Sequence, residues 1–404
     1  MKTIAAMIAA VSVASTVSAQ TYRLVDLGTI AGESHAFFVS DTGRIVGSST
    51  KPNAHFSGAE LSTGPSSLAG VTGEGETVVF AIDSSDAALG VSYTLGSLTT
   101  VGFSNNGVAA PLSGFTPRAV NASGAIAGTV HTQDANGFVL PLACSYSAGA
   151  LTTLPTLGGA TGQAFGIDSE GRVLGSSTTV REGANRPCMW TAGAVRDLGT
   201  LSATSSATGQ AWAARGTTVI GVSQNTSGLF RATRWTLDSA GNVTSRADMG
   251  GLTLTTPSYA YALNSAGNAV GTSGFHAVMY GPSGAVDLNT LVEGGVGSWT
   301  LEKAWSISET GVIVGDGSLL GFPRAFALYP CSGGAGGCCD DIDFNRDGLF
   351  PDTLDIDVFL SVFSGAACAT PSCGDIDFNN DGLFPDTTDI EALLSVFSGG
   401  ACLR

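Results

Sequence analysis

Apolar residues in this chain come in short runs of two to four, broken by Gly and Asx, rather than in helical stripes. One arrangement returns seven times: apolar, then Asn, Asp or Ser, two free positions, Gly, one free position, two apolar residues and a closing Gly. It spans Val39–Gly47, Ile82–Gly90, Val120–Gly128, Ile167–Gly175, Ala214–Gly221, Leu263–Gly271 and Ile307–Gly315. Two copies are degenerate: Asp86 replaces the turn Gly, and the Gly216 copy is shifted by one residue. The closing glycines lie 43, 38, 47, 46, 50 and 44 residues apart. Asp41, Asn121, Asp168 and Asn264 read as turn residues, because an Asx side chain bonds nearby backbone and Gly tolerates positive φ.

Around this unit other strands recur. A third strand, rich in aromatics, is expected at 187–190, 231–235, 276–280 and 324–329, and a fourth at Val195–Leu201 and Val286–Leu291. Four short strands in each recurring unit are the content of one propeller blade. Leu24–Ile30 has the look of a fourth strand with no first three before it, and the last copy stops at Tyr329 after its third. The expectation is an all-β propeller over residues 20–330, closed by its N-terminal strand, which removes the open sheet edges. Seven blades are expected; the degenerate copies leave six or eight open. A solenoid would need caps, and none is evident.

Composition narrows the setting. Lys2, an apolar run from Ile4 to Val17 and the small-x-small step Val17-Ser18-Ala19 read as a signal peptide, residues 1–19, cut after Ala19. The run is shorter than the roughly 20 residues a spanning helix requires, so a secreted or cell-surface protein without a transmembrane segment is expected. A formal charge of −16 excludes a nucleic-acid partner, whose phosphates call for a basic face. Residues 339–404 carry 13 Asp or Glu against two Arg, which marks a separate module after a Gly-rich linker at 331–338.

That module contains one motif twice. Asp343-Phe344-Asn345-Arg346-Asp347-Gly348-Leu349 returns 34 residues later as Asp377-Phe378-Asn379-Asn380-Asp381-Gly382-Leu383. Oxygens at loop positions 1, 3 and 5, with Gly at 6, suit calcium, a hard cation. Asp343, Asn345 and Asp347 are the first three candidate ligands of one loop, and Asp377, Asn379 and Asp381 those of the other. Position 7 would contribute the carbonyls of Leu349 and Leu383. Leu354 and Thr388 hold position 12, where a carboxylate belongs. A one-residue insertion near Phe350-Pro351 and Phe384-Pro385 would restore Asp352 and Asp355, or Asp386 and Asp389, to positions 9 and 12. Each loop leads into an amphipathic helix, with Ile356, Phe359, Leu360 and Phe363 on one face of the first and Ile390, Leu393, Leu394 and Phe397 matching them in the second. Gly365 and Gly399 are the expected helix stops.

Two resemblances follow from these residues. The repeats resemble the HAF-repeat family of extracellular proteins, with His276-Ala277, Arg324-Ala325-Phe326 and the Asp-Leu-Gly-Thr-Leu strand nearest its signature; no catalytic residue comes with that likeness. The tail resembles a dockerin of the cysteine-flanked, planctomycete type. This implies two calcium ions, calcium-dependent folding and attachment to a cohesin-like or other surface protein. A calcium-stapled cap with no partner is the alternative.

Eight Cys in an exported chain favour disulfides. The simplest pairings are Cys339 with Cys368 and Cys373 with Cys402, with Cys331 and Cys338 closing a small loop; sequence does not fix connectivity. Cys144 and Cys188 fall at equivalent repeat positions and read as buried apolar residues. The four His (His35, His55, His131 and His276) are scattered with no sign of a triad, and His276 reads as structural. These features predict a non-enzymatic binding or scaffold protein, with a glycan or protein ligand at the propeller channel. A polysaccharide hydrolase or lyase on the same scaffold is the competing reading, and it requires carboxylates converging at the channel mouth.

Overall fold

The computed structural model describes residues 20–331, apart from 53–55, 63, 69–74, 83–87, 95–99, 106–109, 113, 181–182 and 282–283, together with 344–345, 353–367, 376–378 and 386–397. The expected signal peptide, most of the linker and all the tail cysteines fall outside these residues.

The described residues of the body form seven antiparallel four-stranded sheets. The first strand of each sheet touches the first strands of two neighbours, so seven inner strands run in a closed ring. This is a seven-bladed β-propeller. Its inner strands are Ser34–Val39, Gly75–Ile82, Thr116–Val120, Gly158–Ile167, Gly209–Arg215, Ser258–Leu263 and Trp299–Ile307, for blades 1 to 7 in turn. Blade 7 continues through Ile313–Leu319 and Phe322–Pro330. Its fourth place is held by Tyr22–Asp26, antiparallel to Phe322–Pro330 with Asp26 opposite Phe326.

Blade 1 meets blade 7 as blade 6 meets blade 5. The Ser34 hydroxyl donates to the Gly28 carbonyl at 2.6 Å and accepts from the Ala325 amide at 3.0 Å. Ser258 repeats both bonds at the same distances, to Gly250 and from Ala232. Apolar packing follows: Ala36, Val39 and Ile45 of blade 1 share a core with Val314, Ala325 and Ala327.

The third strands supply large core side chains between blades. Trp190, Trp235 and Tyr280 are all buried, and each places its polar atom on a backbone carbonyl. The Trp190 and Trp235 indoles donate to Pro155 at 2.7 Å and Gly199 at 2.8 Å, and the Tyr280 hydroxyl to Tyr259 at 2.9 Å. Burying each apolar ring contributes about 1.5–3 kcal/mol, and the bond removes the cost of an unpaired donor. Cys144 and Cys188 face the closing glycines Gly128 and Gly175 as free, fully buried thiols. Burial pushes the Cys144 thiol up to about 12, so it acts as a small apolar residue.

Two local expectations are corrected. The fourth strands end at Asp197 and Asp287, short of Leu201 and Leu291. There the Asp197 carboxylate accepts from the Gly199 amide at 2.7 Å, and Asp287 caps a 3-10 turn, so the backbone leaves the ladder. In blade 1 the turn residue is Ser40, not Asp41: the Ser40 hydroxyl accepts from the Arg44 amide at 3.0 Å. Asn121 and Asp168 do the same for the amides four residues on.

The tail segment, from Cys331 onward, belongs to a second compact unit, and Tyr22–Pro330 forms the first. It contains helices α1 (Thr353–Phe363) and α2 (Thr387–Phe397). Phe344, Phe359, Phe378, Ala392 and Leu393 form its core, with the Phe359 ring edge-on to Phe344 at 5.0 Å and to Phe378 at 6.0 Å. Leu360 and Leu394 do not join it; they are exposed, and Val358 and Val362 pack there instead. Helix α1 stops at Gly365, at φ +93, as expected.

Candidate channel site

The inner strands carry a feature that links every blade. In each, the register with the second strand slips by one residue before the turn. The extra residue is Phe37, Phe80, Arg118, Phe165, Trp212, Tyr261 and Trp305 in blades 1 to 7. Such a bulge re-aims one side chain and increases local twist. Ala36, Ala164, Ala211, Ala260 and Ala304 precede it in five blades and are fully buried against the neighbouring sheet. In blades 1, 5, 6 and 7 the bulged aromatic turns the other way, to the axis, where it meets its neighbours.

Ring contacts between blades show the result. Phe37 lies 6.3 Å from Trp305, Trp305 4.5 Å from Tyr261, and Tyr261 4.9 Å from Trp212. Four consecutive blades therefore line the channel with one continuous aromatic arc. Tyr259, two residues before Tyr261, extends it at 6.2 Å from Trp212 and 6.3 Å from Phe230. Burial pushes the Tyr261 phenol well above its ordinary range, so it stays a neutral donor.

The sequence pattern that encodes this arc is Ala-aromatic ten residues before the closing glycine, as in His35-Ala36-Phe37, Gln163-Ala164-Phe165 and Lys303-Ala304-Trp305, or nine in the shifted copy with Ala211-Trp212. The aromatics expected on the third strands serve the core instead. Degeneracy at Val79-Phe80 and Pro117-Arg118 hides the inner-strand pattern, but its nearly constant distance to glycine was a usable signal.

Polar groups sit one step along the same strands. Asp316, in the second strand of blade 7, accepts from the Trp305 indole at 2.7 Å and lies 3.3 Å from His35 Nδ1 of blade 1. The His35 ring stacks on Phe37 at 6.0 Å, within 4° of parallel. Burial lowers the His35 pKa, but the Asp316 bond and the charges of Asp316 and Glu33 outweigh burial and Lys303, leaving it raised. Lys303 Nζ stands 5.4 Å over the Trp305 ring. The scattered histidines thus include one with a carboxylate neighbour, which sequence spacing did not reveal. The Asp316 carboxylate thus ties His35 of blade 1 to Trp305 of blade 7.

His276 also has a carboxylate, Asp287, at 2.7 Å from Nδ1. Arg186 with Asp197 and Arg231 with Asp248 occupy the same places in blades 4 and 5. The pairing recurs with different bases, which fits a strut between third and fourth strands. His131 lies on a strand of blade 3, and His55 falls outside the described residues.

The two ends of the channel differ. At the end where inner strands finish, the Glu309 carboxylate binds Arg215 of blade 5 at 3.2 Å and the Ser265 amide of blade 6 at 2.8 Å, while the Glu309 amide donates to Asp41 of blade 1 at 2.9 Å. Burial raises the Glu309 pKa, but the Ser265 and Arg215 bonds outweigh it and hold the group below its usual range. At the opposite end lie the hairpins between second and third strands and the loops joining blades. There Val180, Phe275, Leu320, Phe322 and Phe138 stand exposed, and so does Leu254, at 91%. One end is ionic and tied across blades; the other carries exposed apolar tips.

In the tail, five candidate calcium ligands are described. Asp355 and Asp389 are buried at the first turns of α1 and α2. Asp355 accepts from the Asn345 amide at 3.2 Å, and Asp389 from the Asp386 amide at 2.8 Å. Each carboxylate is turned back on its own loop, which fits a last ligand closing a cation site. Asp377 is half-buried and Asp386 exposed. Asp343, Asp347, Leu349, Asp352, Asn379, Asp381 and Leu383 lie outside the described residues. No group of three or more metal-ligating side chains is found among the described residues. No described helix is long and apolar enough to cross a membrane.

No protein-family model matches the chain, and no curated protein matches it. Among solved structures it is similar to TolB from Acinetobacter baumannii, at 12% identity over 76% of this chain and 65% of that one, with a TM-score of 0.37. It is similar to prolyl oligopeptidase B from Galerina marginata, at 10% identity over 71% of this chain and 47% of that one, TM-score 0.44. A fungal lectin from Aleuria aurantia, described as a six-bladed β-propeller with a novel fucose recognition mode, gives 11% identity over 66% and 94%, TM-score 0.34. At these values the likenesses assign neither ligand nor activity, and the channel has to be read from its own residues.

Proposed function

We propose that this chain is an exported binding protein whose propeller takes a carbohydrate in its channel and whose tail attaches it to a surface partner. The observation that carries the reading is the aromatic arc from Phe37 through Trp305 and Tyr261 to Trp212. Flat rings offer large apolar faces to the C–H faces of sugars, and they do so at small entropic cost when already packed. Gln163 and Gln210, each two residues before a bulged aromatic, add amides that match sugar hydroxyls. The hydrolase or lyase alternative calls for paired carboxylates. The bulged positions and the positions two residues before them hold no Asp or Glu in any blade, which favours binding over cleavage.

The N-terminal strand closes the ring in this reading. The tail, with two calcium ions held by the loops ending in Asp355 and Asp389, engages a cohesin-like or other surface protein. Calcium would supply the charge that lets clustered carboxylates approach one another.

The test is a glycan-array screen of the full chain, followed by titration of the best ligand against W305A and W212A. Each variant is expected to weaken binding by about tenfold, the scale of a stacking contact of roughly 1 kcal/mol or more. An array with no ligand, or variants that bind as the parent does, would remove the carbohydrate reading.

A further inference from the structure

The inner-strand positions that line the channel carry a charge bias opposite to that of the protein. The chain has a formal charge of −16 and only three lysines, Lys2, Lys51 and Lys303. One of the three stands two residues before a bulged aromatic. His35 holds the equivalent place in the adjacent blade, and Arg118 occupies the bulge of blade 3. No acidic residue occurs at either set of positions in any blade.

Lys303 differs from five arginines of the propeller. Arg44, Arg172, Arg186, Arg215 and Arg231 each pair with a carboxylate. Among the described residues none lies within ion-pairing distance of Lys303, whose ammonium stands over the Trp305 ring instead. Asp316 faces Lys303 across the blade 7 ladder, but its oxygens are directed to the Trp305 indole and to His35 Nδ1. That leaves His35 Nε2 and the Lys303 ammonium as donors beside the adjoining rings of Phe37 and Trp305. Two donors on adjoining inner strands can bind one anionic group together.

We propose that the channel takes a carboxylated sugar, with Trp305 and Tyr261 against the pyranose ring and Lys303 and His35 on the carboxylate. This rests on the carbohydrate reading above and names its ligand class: uronic-acid oligomers rather than neutral ones. The charge of His35 strengthens the contact at mildly acidic pH, since Asp316 and Glu33 favour its protonated form against burial and Lys303. The attraction weakens with added salt, because Lys303 is exposed.

The test is calorimetry on the full chain with trigalacturonate and with the same oligomer after carboxyl reduction, which changes charge and leaves ring shape intact. The acid form is expected to bind at least about tenfold tighter at low salt, the equivalent of one favourable charged contact. K303Q is expected to abolish that ratio and K303R to keep it. Equal binding of the two oligomers, or a ratio retained in K303Q, overturns the acidic ligand class and leaves the carbohydrate reading in place. Binding of neither oligomer also overturns the acidic ligand class, and the glycan array then decides the carbohydrate reading on its own.

Discussion

The carbonyl oxygen of His35 occupies the space that a side chain on Gly47 would need. An ideal Cβ built on Gly47 lies 1.8 Å from that oxygen, and the same clash recurs at 1.9 Å between Gly271 and Tyr259 and between Gly315 and Lys303. The closing glycine therefore exists for the bulge: it lets the inner strand swing in against the second strand as it turns an aromatic side chain to the axis. Each clash is with backbone, which has no rotamer to escape into. G271A is expected to destabilise the propeller by roughly 1–3 kcal/mol or more, on the scale of overpacking a tight site. G267A, on a nearby turn with open space around it, is the comparison, where only positive φ is at stake. Urea denaturation of both variants measures the difference; equal losses would mean that the bulge does not set the need for glycine.

That relationship also explains what the sequence made legible. Blade number follows from glycines that no other residue replaces, and from turns closed by Ser40, Asn121, Asp168 and Asn264. The channel was harder to read because its signal is a single residue out of step with strand alternation. Period-two reasoning puts Phe37 and Phe38 on opposite faces and cannot say which meets the axis. The ion pair of His35 with Asp316 joins residues far apart in sequence, through the seam of blades 1 and 7, and leaves no local trace. In the tail, helix positions followed from amphipathic spacing, whereas the exposure of Leu360 and Leu394 depends on which helix faces meet.

Tyr22–Asp26 leads to a second prediction. It covers the edge of Phe322–Pro330 along five residue pairs. Removing residues 20–30 would leave that edge unpaired and strip Leu27 from the core it shares with blade 1. The truncated protein is expected to melt earlier and to aggregate on heating, while a circular permutant carrying the same strand after Pro330 should recover the parent Tm. A truncated protein as stable as the parent would show that the strand is dispensable to the ring.

His35 gives a third, with a definite sign. Its pKa is raised above the ordinary 6.5 although burial alone would lower it, because of the Asp316 bond and the charges of Asp316 and Glu33. A group raised in the folded state stabilises fully below its unfolded pKa and ceases to do so as pH climbs through the folded value. The parent Tm should fall as pH rises from below 6.5 through the raised His35 value, and H35Q should flatten that part of the curve. His35 is a quarter exposed, so the effect is screened and small. A pH profile unchanged in H35Q would assign the titration to another group.

The last prediction concerns the tail, where two buried carboxylates face their own loops. Asp355 and Asp389 each begin a helix and accept a backbone amide from the segment before it, so both are held while their surroundings remove water. A buried carboxylate bonded this way is costly unless further positive charge arrives, and a calcium ion bound by the preceding loop oxygens supplies it. Titration of the full chain, after chelation, is expected to count two calcium ions. D355N and D389N should each remove one, and the double variant both. Calcium should also raise the melting temperature of a tail-specific transition, by mass action on the folded form, without shifting that of the propeller. Retention of both ions in the double variant would move the last ligands to Asp352 and Asp386. Absence of any binding at millimolar calcium would leave Asp355 and Asp389 as helix caps and end the anchoring proposal with them.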